Sequence, residues 1–326
     1  MTKISIADVL QAHYRIKPFL PKTPVLTSST FDAMHGRKFY FKAENMQKTG
    51  SFKVRGALNA IIKLQESGEP VKGVTTHSSG NHGQALAWAA SKCGLKCNVI
   101  TPHDTPNIKI RSIEGYGASV TLCEPNPTSR EETCQRVTME TGYSFVPSSD
   151  HYDIMAGQGT IALEFLDEVP NLDAILIPAS KGGMAAGIAI TAKSLKPNIK
   201  IFVVEPKGKD LERCLIAGER LWPNPPQFVD TIADGIRIQQ LGKLTWPILL
   251  KLAEKEVFTA DNEEIMRGMK FAFQRMKVVI EGASGAAVAA AMSDRLRKMD
   301  DSIKNVGVIL CGGNVDIDQL PWYKGK

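Results

Sequence analysis

The run Val74-Thr75-Thr76-His77-Ser78-Ser79-Gly80-Asn81-His82-Gly83 decides the fold class. Its first half is rich in β-branched residues and reads as a strand. Ser78, Ser79 and Gly80 are turn and capping residues, and Asn81 opens an alanine-rich segment through Lys92 that reads as a helix. The unit recurs downstream: a strand at 97–101 before a helix at 107–114, a strand at 120–123 before a helix at 129–141, and a strand at 143–146. A helix at 153–166, the apolar run 174–178, a small-residue helix opened by Gly182-Gly183 and a strand at 201–205 continue the alternation. Helices around 242–253, 261–275 and 284–297 precede a last strand at 306–311. Upstream, 5–18 reads as a helix capped by Ser5, a connector carries Pro18, Pro21 and Pro24, and 38–44 alternates like a strand. Such alternation implies an α/β fold with twisted, mostly parallel sheets and helices on both faces.

The 326 residues are 43% hydrophobic and 23% charged, which suits an ordinary globular chain of two lobes. No apolar run approaches the roughly 20 residues that span a bilayer, and 1–8 lacks the apolar core of a signal peptide. Lysines and arginines are scattered and the net charge is only +6, so neither nucleic acid nor membrane is an expected partner. Anionic small molecules suit that charge. Six cysteines without metal-ligand spacing read as free thiols in a reducing cytosol, so a cytoplasmic location is expected.

Chemistry enters with Ser51-Phe52-Lys53-Val54-Arg55-Gly56-Ala57. Gly50 and Ser51 read as a turn ending in an N-cap. Val54, Ala57, Leu58, Ile61, Ile62 and Leu64 form an apolar stripe at helical spacing. Lys53 therefore falls in the first turn of a largely buried helix, where burial lowers an amine's pKa and frees it to attack a carbonyl. First-turn lysines ordinarily point to solvent; the glycine-rich turns argue otherwise here. Ligands of open parallel sheets sit at the carboxyl ends of strands. The turn after 74–78 supplies hydroxyls, an amide and helix N–H groups suited to a carboxylate or phosphate. Ser180-Lys181-Gly182-Gly183-Met184 offers backbone amides for a phosphate. Cys311-Gly312-Gly313-Asn314 places a thiol at the same sheet edge. Neither dinucleotide nor P-loop spacing occurs. A carbonyl-reactive lysine, a phosphate cradle and an anion turn together describe pyridoxal phosphate.

At this point the chain resembles the fold-type-II pyridoxal-phosphate enzymes, in particular the serine racemase and serine/threonine dehydratase family. Besides the stretches around Lys53 and Ser78, the resemblance rests on Ala156-Gly157-Gln158-Gly159-Thr160, Thr231-Ile232-Ala233-Asp234-Gly235 and Gly312-Gly313-Asn314-Val315-Asp316. These motifs appear in family order over nearly the whole length. The resemblance implies that Lys53 forms a Schiff base with the cofactor and moves protons on one face of the substrate Cα, with Ser79 on the other face. It implies that Phe52 packs beside the ring, Asn81 bonds the ring hydroxyl, and Glu281 belongs to the cofactor site. The loop formed by Ser180, Lys181, Gly182, Gly183 and Met184 holds the phosphate, and Cys311 meets the ring nitrogen as a neutral partner. Ser78, Ser79, Asn81, His82, Arg130 and Gly235 would line the substrate site, with Ser78, His82 and Arg130 on its carboxylate. The implied reaction is β-elimination or racemisation of serine or threonine; a racemase acting on aspartate and a silent relative that only binds cofactor or amino acid stay open. A homodimer is implied, with a small mobile lobe at 73–145 inserted into a large lobe of 1–72 and 146–326.

Three departures bear on activity. Relatives carry four consecutive glycines where this chain has Ser180-Lys181-Gly182-Gly183; if the first two positions need positive φ, their side chains cost about 1–2 kcal/mol each. Racemases of the family bind a divalent cation through a glutamate, here Glu205, and an acid six residues on. That position is Leu211, with Asp210 before it and Lys209 adding positive charge, so a weakened or absent cation site is expected. Gly282 and Ile238 also differ from the racemase pattern and lean toward dehydratase or an unusual substrate. Finally, aspartate-racemising relatives have a serine run near Pro147-Ser148-Ser149-Asp150, which this chain carries in part.

Overall fold

A computed structural model describes residues 3–78, 80–320 and 322. Ten strands are present among them: β1 (Val25–Thr27), β2 (Lys38–Ala43), β3 (Gly73–His77), β4 (Lys96–Pro102), β5 (Ser119–Cys123), β6 (Ser144–Phe145), β7 (Ala174–Pro178), β8 (Lys200–Pro206), β9 (Val257–Ala260) and β10 (Asn305–Leu310). Six of them form one sheet in the order β1-β2-β10-β7-β8-β9 and four form another in the order β5-β4-β3-β6. Only the edge pair β1–β2 is antiparallel. The central strand β7 (Ala-Ile-Leu-Ile-Pro) is buried at all five positions, the mark of a parallel strand covered on both sides.

Helices Tyr152–Glu168 and Gly183–Leu195 pack on each other against the large sheet, and helix Gly282–Met292 lies along β7 to β10 with Asn262–Phe271 outside it. A second core joins the small sheet to the lysine helix, Lys53–Glu66. Val54, Ala57, Leu58 and Ile61 of that helix pack with Val74, Leu86, Trp88 and Val99. The lysine helix thus presents one face to helix Asn81–Lys92, which lies on the small sheet, and another to helix Tyr152–Glu168. At that crossing a Cβ on Gly157 would come within 2.6 Å of the Arg55 carbonyl oxygen, which explains the glycine of the 156–160 motif.

Some expected boundaries move. The segment read as one helix at 284–297 is two, Gly282–Met292 and Asp294–Arg297, broken by the extended Ser293 that caps the second. The helix expected over 261–275 gives way after Phe271 to a π-helical turn, Ala272–Met276. Ser5 caps the first helix with a Ser5–Asp8 capping box, as expected. Ser51 does not cap the lysine helix: it is extended and pairs with Gly312, its hydroxyl is buried without a partner, and Phe52 holds the cap position.

Candidate active site

The lysine helix begins where the chain is pinned to the last glycine turn. Phe52 N–H donates to the Cys311 carbonyl at 3.1 Å, and Gly313 N–H donates to the Gly50 carbonyl at 2.9 Å. Lys53 is half-buried; its Nζ donates to the Ser148 carbonyl at 2.7 Å and lies 5.2 Å from the Phe52 ring centroid. Burial lowers its pKa to about 8 against the raising effect of Cys311 and Glu281, and the charge of Lys181 lowers it further. A buried ion-pair network fixes the helix from behind. The Arg55 guanidinium donates to Glu44 and Glu164 at 2.7–2.8 Å, and Lys42 Nζ donates to Glu164 at 2.8 Å. With Arg55, Lys42 and Glu44 all within 1% of full burial, two cations offset two carboxylates there.

Across the cleft floor, Asn81 Nδ2 donates to both Glu281 oxygens at 3.0 and 2.9 Å. Asn314 Nδ2 donates to Asn81 Oδ1 at 2.8 Å, so the start of helix Asn81–Lys92 is tied to the chain after β10 and to Glu281 through amides and a carboxylate. Burial pushes Glu281 up to about 7, opposed by the Asn81 hydrogen bonds. Cys311 is buried, its Sγ lies 3.5 Å from Ser284 Oγ, and burial pushes its thiol well above the ordinary range, so it is neutral. Gly235, exposed in the turn Asp234–Ile236, lies against Glu281. Ser78 is half-buried at the end of β3, and its hydroxyl accepts from Gly80 N–H at 3.3 Å. Ser79 lies outside the described residues. His82 is buried, with Nε2 3.1 Å from the Val146 carbonyl and Nδ1 unpartnered. Burial and then the Lys53 charge pull His82 down to about 3, so its imidazole is neutral and anchors the turn to Val146; what it offers an anion is its backbone N–H in the first helical turn.

The loop after β7 settles the question raised by Ser180 and Lys181. Neither has a positive φ; the left-handed position falls on Gly182, φ +88°, where a Cβ would sit 2.9 Å from Leu249 Cδ1. The substituted residues are unstrained and the demanding position has kept its glycine. Gly183 N–H donates to Ser149 Oγ at 3.1 Å, and the Lys181 carbonyl accepts from Gly242 N–H at 2.9 Å. Asp150 accepts from the N–H groups of Lys243, Leu244 and Thr245, tying the 147–150 loop to helix Thr245–Leu252. Among the described residues, the first-turn N–H groups of Met184 and Ala185 find no acceptor, so the helix Gly183–Leu195 presents free amides and its positive dipole end. These orphan amides, a lysine pulled toward neutrality and a neutral thiol on one sheet edge fit pyridoxal phosphate.

Positive charges gather near His77 at the end of β3. Burial, then the charge of Lys181 and that of Arg130, lowers His77; burial, then Arg237, lowers Arg130. Among the described residues no carboxylate comes within 4.0 Å of Lys181, Arg130 or Arg237. Glu205, next to last in β8, is buried; its Oε1 accepts from Leu211 N–H at 3.0 Å. Asp210 is left-handed, φ +59°, at the start of helix Leu211–Ala217. No cluster of three or more metal-ligating side chains forms around them among the described residues. The Arg55 network and the Asn81–Glu281 pair escaped the reading of the sequence, because Glu164 lies 109 residues from Arg55 and 122 from Lys42, and Glu281 lies 200 from Asn81.

A parallel-sheet fold with a cleft-floor lysine and a glycine-defined anion cradle is the ground plan of a cofactor-dependent carbonyl enzyme. The chain belongs to the pyridoxal-phosphate-dependent enzyme family, whose model matches residues 16–312. Mouse serine racemase is 45% identical over 324 residues, covering 98% of this chain and 94% of that protein. The β-hydroxyaspartate dehydratase of Paracoccus denitrificans is 40% identical, with 97% and 98% coverage. The crystal structure of a pyridoxal 5'-phosphate-dependent aspartate racemase superposes with a TM-score of 0.97 at 56% identity and 99% coverage of both chains. Pyridoxal phosphate is the cofactor, and the reaction class is racemisation or elimination at an amino acid. No helix among the described residues is long and apolar enough to cross a membrane.

Proposed function

We propose that this enzyme acts on a small amino acid with a second carboxylate: aspartate for racemisation, 3-hydroxyaspartate for elimination. The observation that carries this is the set of three neighbouring cations, Lys181, Arg130 and Arg237, with no carboxylate in ion-pair reach among the described residues. Helix N–H groups meet the phosphate and the α-carboxylate, which leaves these side-chain cations to an acidic substrate side chain. The similarity to an aspartate racemase and a β-hydroxyaspartate dehydratase supports the same choice. Serine or threonine, the first expectation from sequence, is the second reading, favoured by the serine racemase relatives.

The residues divide the work. The amides of Met184 and Ala185 and the loop 180–183 would hold the phosphate, and Phe52, Asn81, Glu281 and Cys311 would face the ring. When bound, pyridoxal phosphate would supply an electron sink for the pair left on Cα. Lys53 Nζ, with a pKa near 8, takes that proton as a neutral amine. Return of the proton from the opposite face, a role the family resemblance gives to Ser79, inverts the centre; loss of a β-hydroxyl completes elimination. The neutral thiol of Cys311 leaves the ring nitrogen without an anionic partner. First-turn N–H groups at Asn81 to Gly83, with Ser78, bind the α-carboxylate, and Arg130 the side-chain carboxylate. Closure of a mobile lobe at 73–145 excludes water, and the working assembly is a cytosolic homodimer.

The test compares L-aspartate, 3-hydroxyaspartate, L-serine and L-threonine by chiral analysis and 2-oxoacid release, in the parent and in Arg130→Ala. Acidic substrates are expected to have the higher kcat/KM. Arg130→Ala is expected to lower it about tenfold to a hundredfold for them while sparing serine, as loss of a charge-assisted hydrogen bond does. Preference for serine in the parent would transfer the proposal to the second reading.

A further inference from the structure

Lys209 is a buried cation that neither the mechanism nor the Arg55 network uses. It is 1% exposed, and its Nζ donates to three backbone carbonyls: Ala179 at 2.8 Å, Ser180 at 3.2 Å and Ile236 at 3.4 Å. These come from two separate parts of the site. Ala179 and Ser180 lead from β7 into the phosphate cradle, and Ile236 closes the turn that carries Asp234 and Gly235. Three N–H donors meet three acceptors, so the ammonium is fully used. Glu205, 2% exposed, supplies the compensating charge, and its Oε2 has no hydrogen-bond partner among the described residues. Each group's charge opposes the burial effect on the other.

The local backbone is shaped to deliver this side chain. Gly208 has φ +99° and Asp210 φ +59°, so Lys209 sits between two left-handed residues, the second at a cost any non-glycine bears. Its carbonyl accepts from Trp222 Nε1 at 2.6 Å. Three carbonyls converge on this buried point, with the Glu205 carboxylate nearby but beyond 4.0 Å of Nζ, an oxygen-rich setting of the kind a hard divalent cation takes. Here that point is filled from within, and Leu211 adds no oxygen. The residues therefore do not fit the divalent cation that the family resemblance implies.

We propose that Lys209 is a tethered internal cation: a positioning residue whose ammonium locks the phosphate-cradle loop to the 234–236 turn and makes this site independent of divalent metal. The inference rests on the cofactor assignment but not on the choice of substrate.

The experiment uses purified holoenzyme and reads two quantities that need no substrate: the pyridoxal phosphate dissociation constant by absorbance titration, and the melting temperature. Both are taken after EDTA and with millimolar CaCl2 or MgCl2, with NaCl matching ionic strength. For the parent, neither quantity is expected to respond to chelation or to either cation. Lys209→Ala is expected to weaken cofactor binding about tenfold or more, and CaCl2 is expected to recover part of that loss, because the vacated oxygen set accepts a cation. A general packing defect would not be reversed by calcium. Should Lys209→Ala fail to fold, Lys209→Met with Glu205→Gln removes both buried charges at once; weakened cofactor binding there, unaffected by calcium, supports the proposal. Parent enzyme that loses cofactor in EDTA and regains it with CaCl2 or MgCl2 overturns it. So does either variant binding cofactor as tightly as the parent without added metal.

Discussion

Lys53 and Glu281 lie within electrostatic reach of each other, and burial drives both toward their neutral forms. For Lys53 that is what its chemistry requires, because only the unprotonated amine attacks a carbonyl or accepts a proton. Cofactor capture by the apoenzyme should therefore quicken from pH 7 to 9 and level off above the pKa near 8, as stopped-flow absorbance would record. Lys53→Ala should abolish the covalent absorbance band and cost on the order of a thousandfold or more in turnover. Glu281 gives a stability signature of the opposite sense to the usual carboxylate. The folded apoprotein keeps its proton up to about pH 7, whereas the unfolded chain releases it near 4.5. Between those values the folded state binds more protons, so stability falls as pH rises, by up to about 3 kcal/mol, and is flat above. Urea unfolding of Glu281→Gln apoprotein should lack this slope. The variant should match the parent near pH 4 and exceed it above pH 7; parallel profiles would mean that Glu281 is ionised in the fold.

At the scale of elements, the helix Gly183–Leu195 and its preceding loop separate what composition conveys from what conformation decides. The strand, the turn and the helix are legible because 174–178 is apolar and short and Gly182-Gly183 precedes small residues. Whether Ser180 and Lys181 spoil the turn is not legible, since φ at a given position depends on how the loop meets Leu241, Leu249 and Ser149. The only left-handed residue there is Gly182. Gly182→Ala should then cost about 1–2 kcal/mol from φ alone, with more from contact with Leu249, and weaken cofactor binding about tenfold. Lys181→Ala should leave stability within about 0.5 kcal/mol. Denaturant titration and cofactor titration of both variants check this pair. Short elements escaped the sequence for a related reason. Strand β1 has three residues, β9 four, and helices Ser29–His35 and Leu211–Ala217 seven each, too few for a period to declare itself. Lys209 was legible as a charge but not as a clamp, because its acceptors are main-chain oxygens 27–30 residues away.

At the scale of the whole molecule, few polar contacts join the small sheet's elements to the large sheet's loops across the cleft mouth. Besides Asn81 with Glu281 and Asn314, Lys109 of helix Asn107–Gly115 reaches Asp234 at 3.0 Å, beside Gly235. Its side chains are 30% and 59% exposed, so the pair adds no more than about 1 kcal/mol to global stability. A contact that weak is suited to a surface that must open for substrate and shut for chemistry. Lys109→Ala should therefore leave the melting temperature nearly unchanged while amide hydrogen exchange in 107–115 and 233–236 quickens a few-fold. The kcat/KM for every accepted amino acid should fall together, since a looser closure is blind to the side chain. A loss confined to acidic substrates, with exchange unaltered, would instead place the Lys109 ammonium on the substrate itself and make the ion pair with Asp234 the resting partner of a binding group.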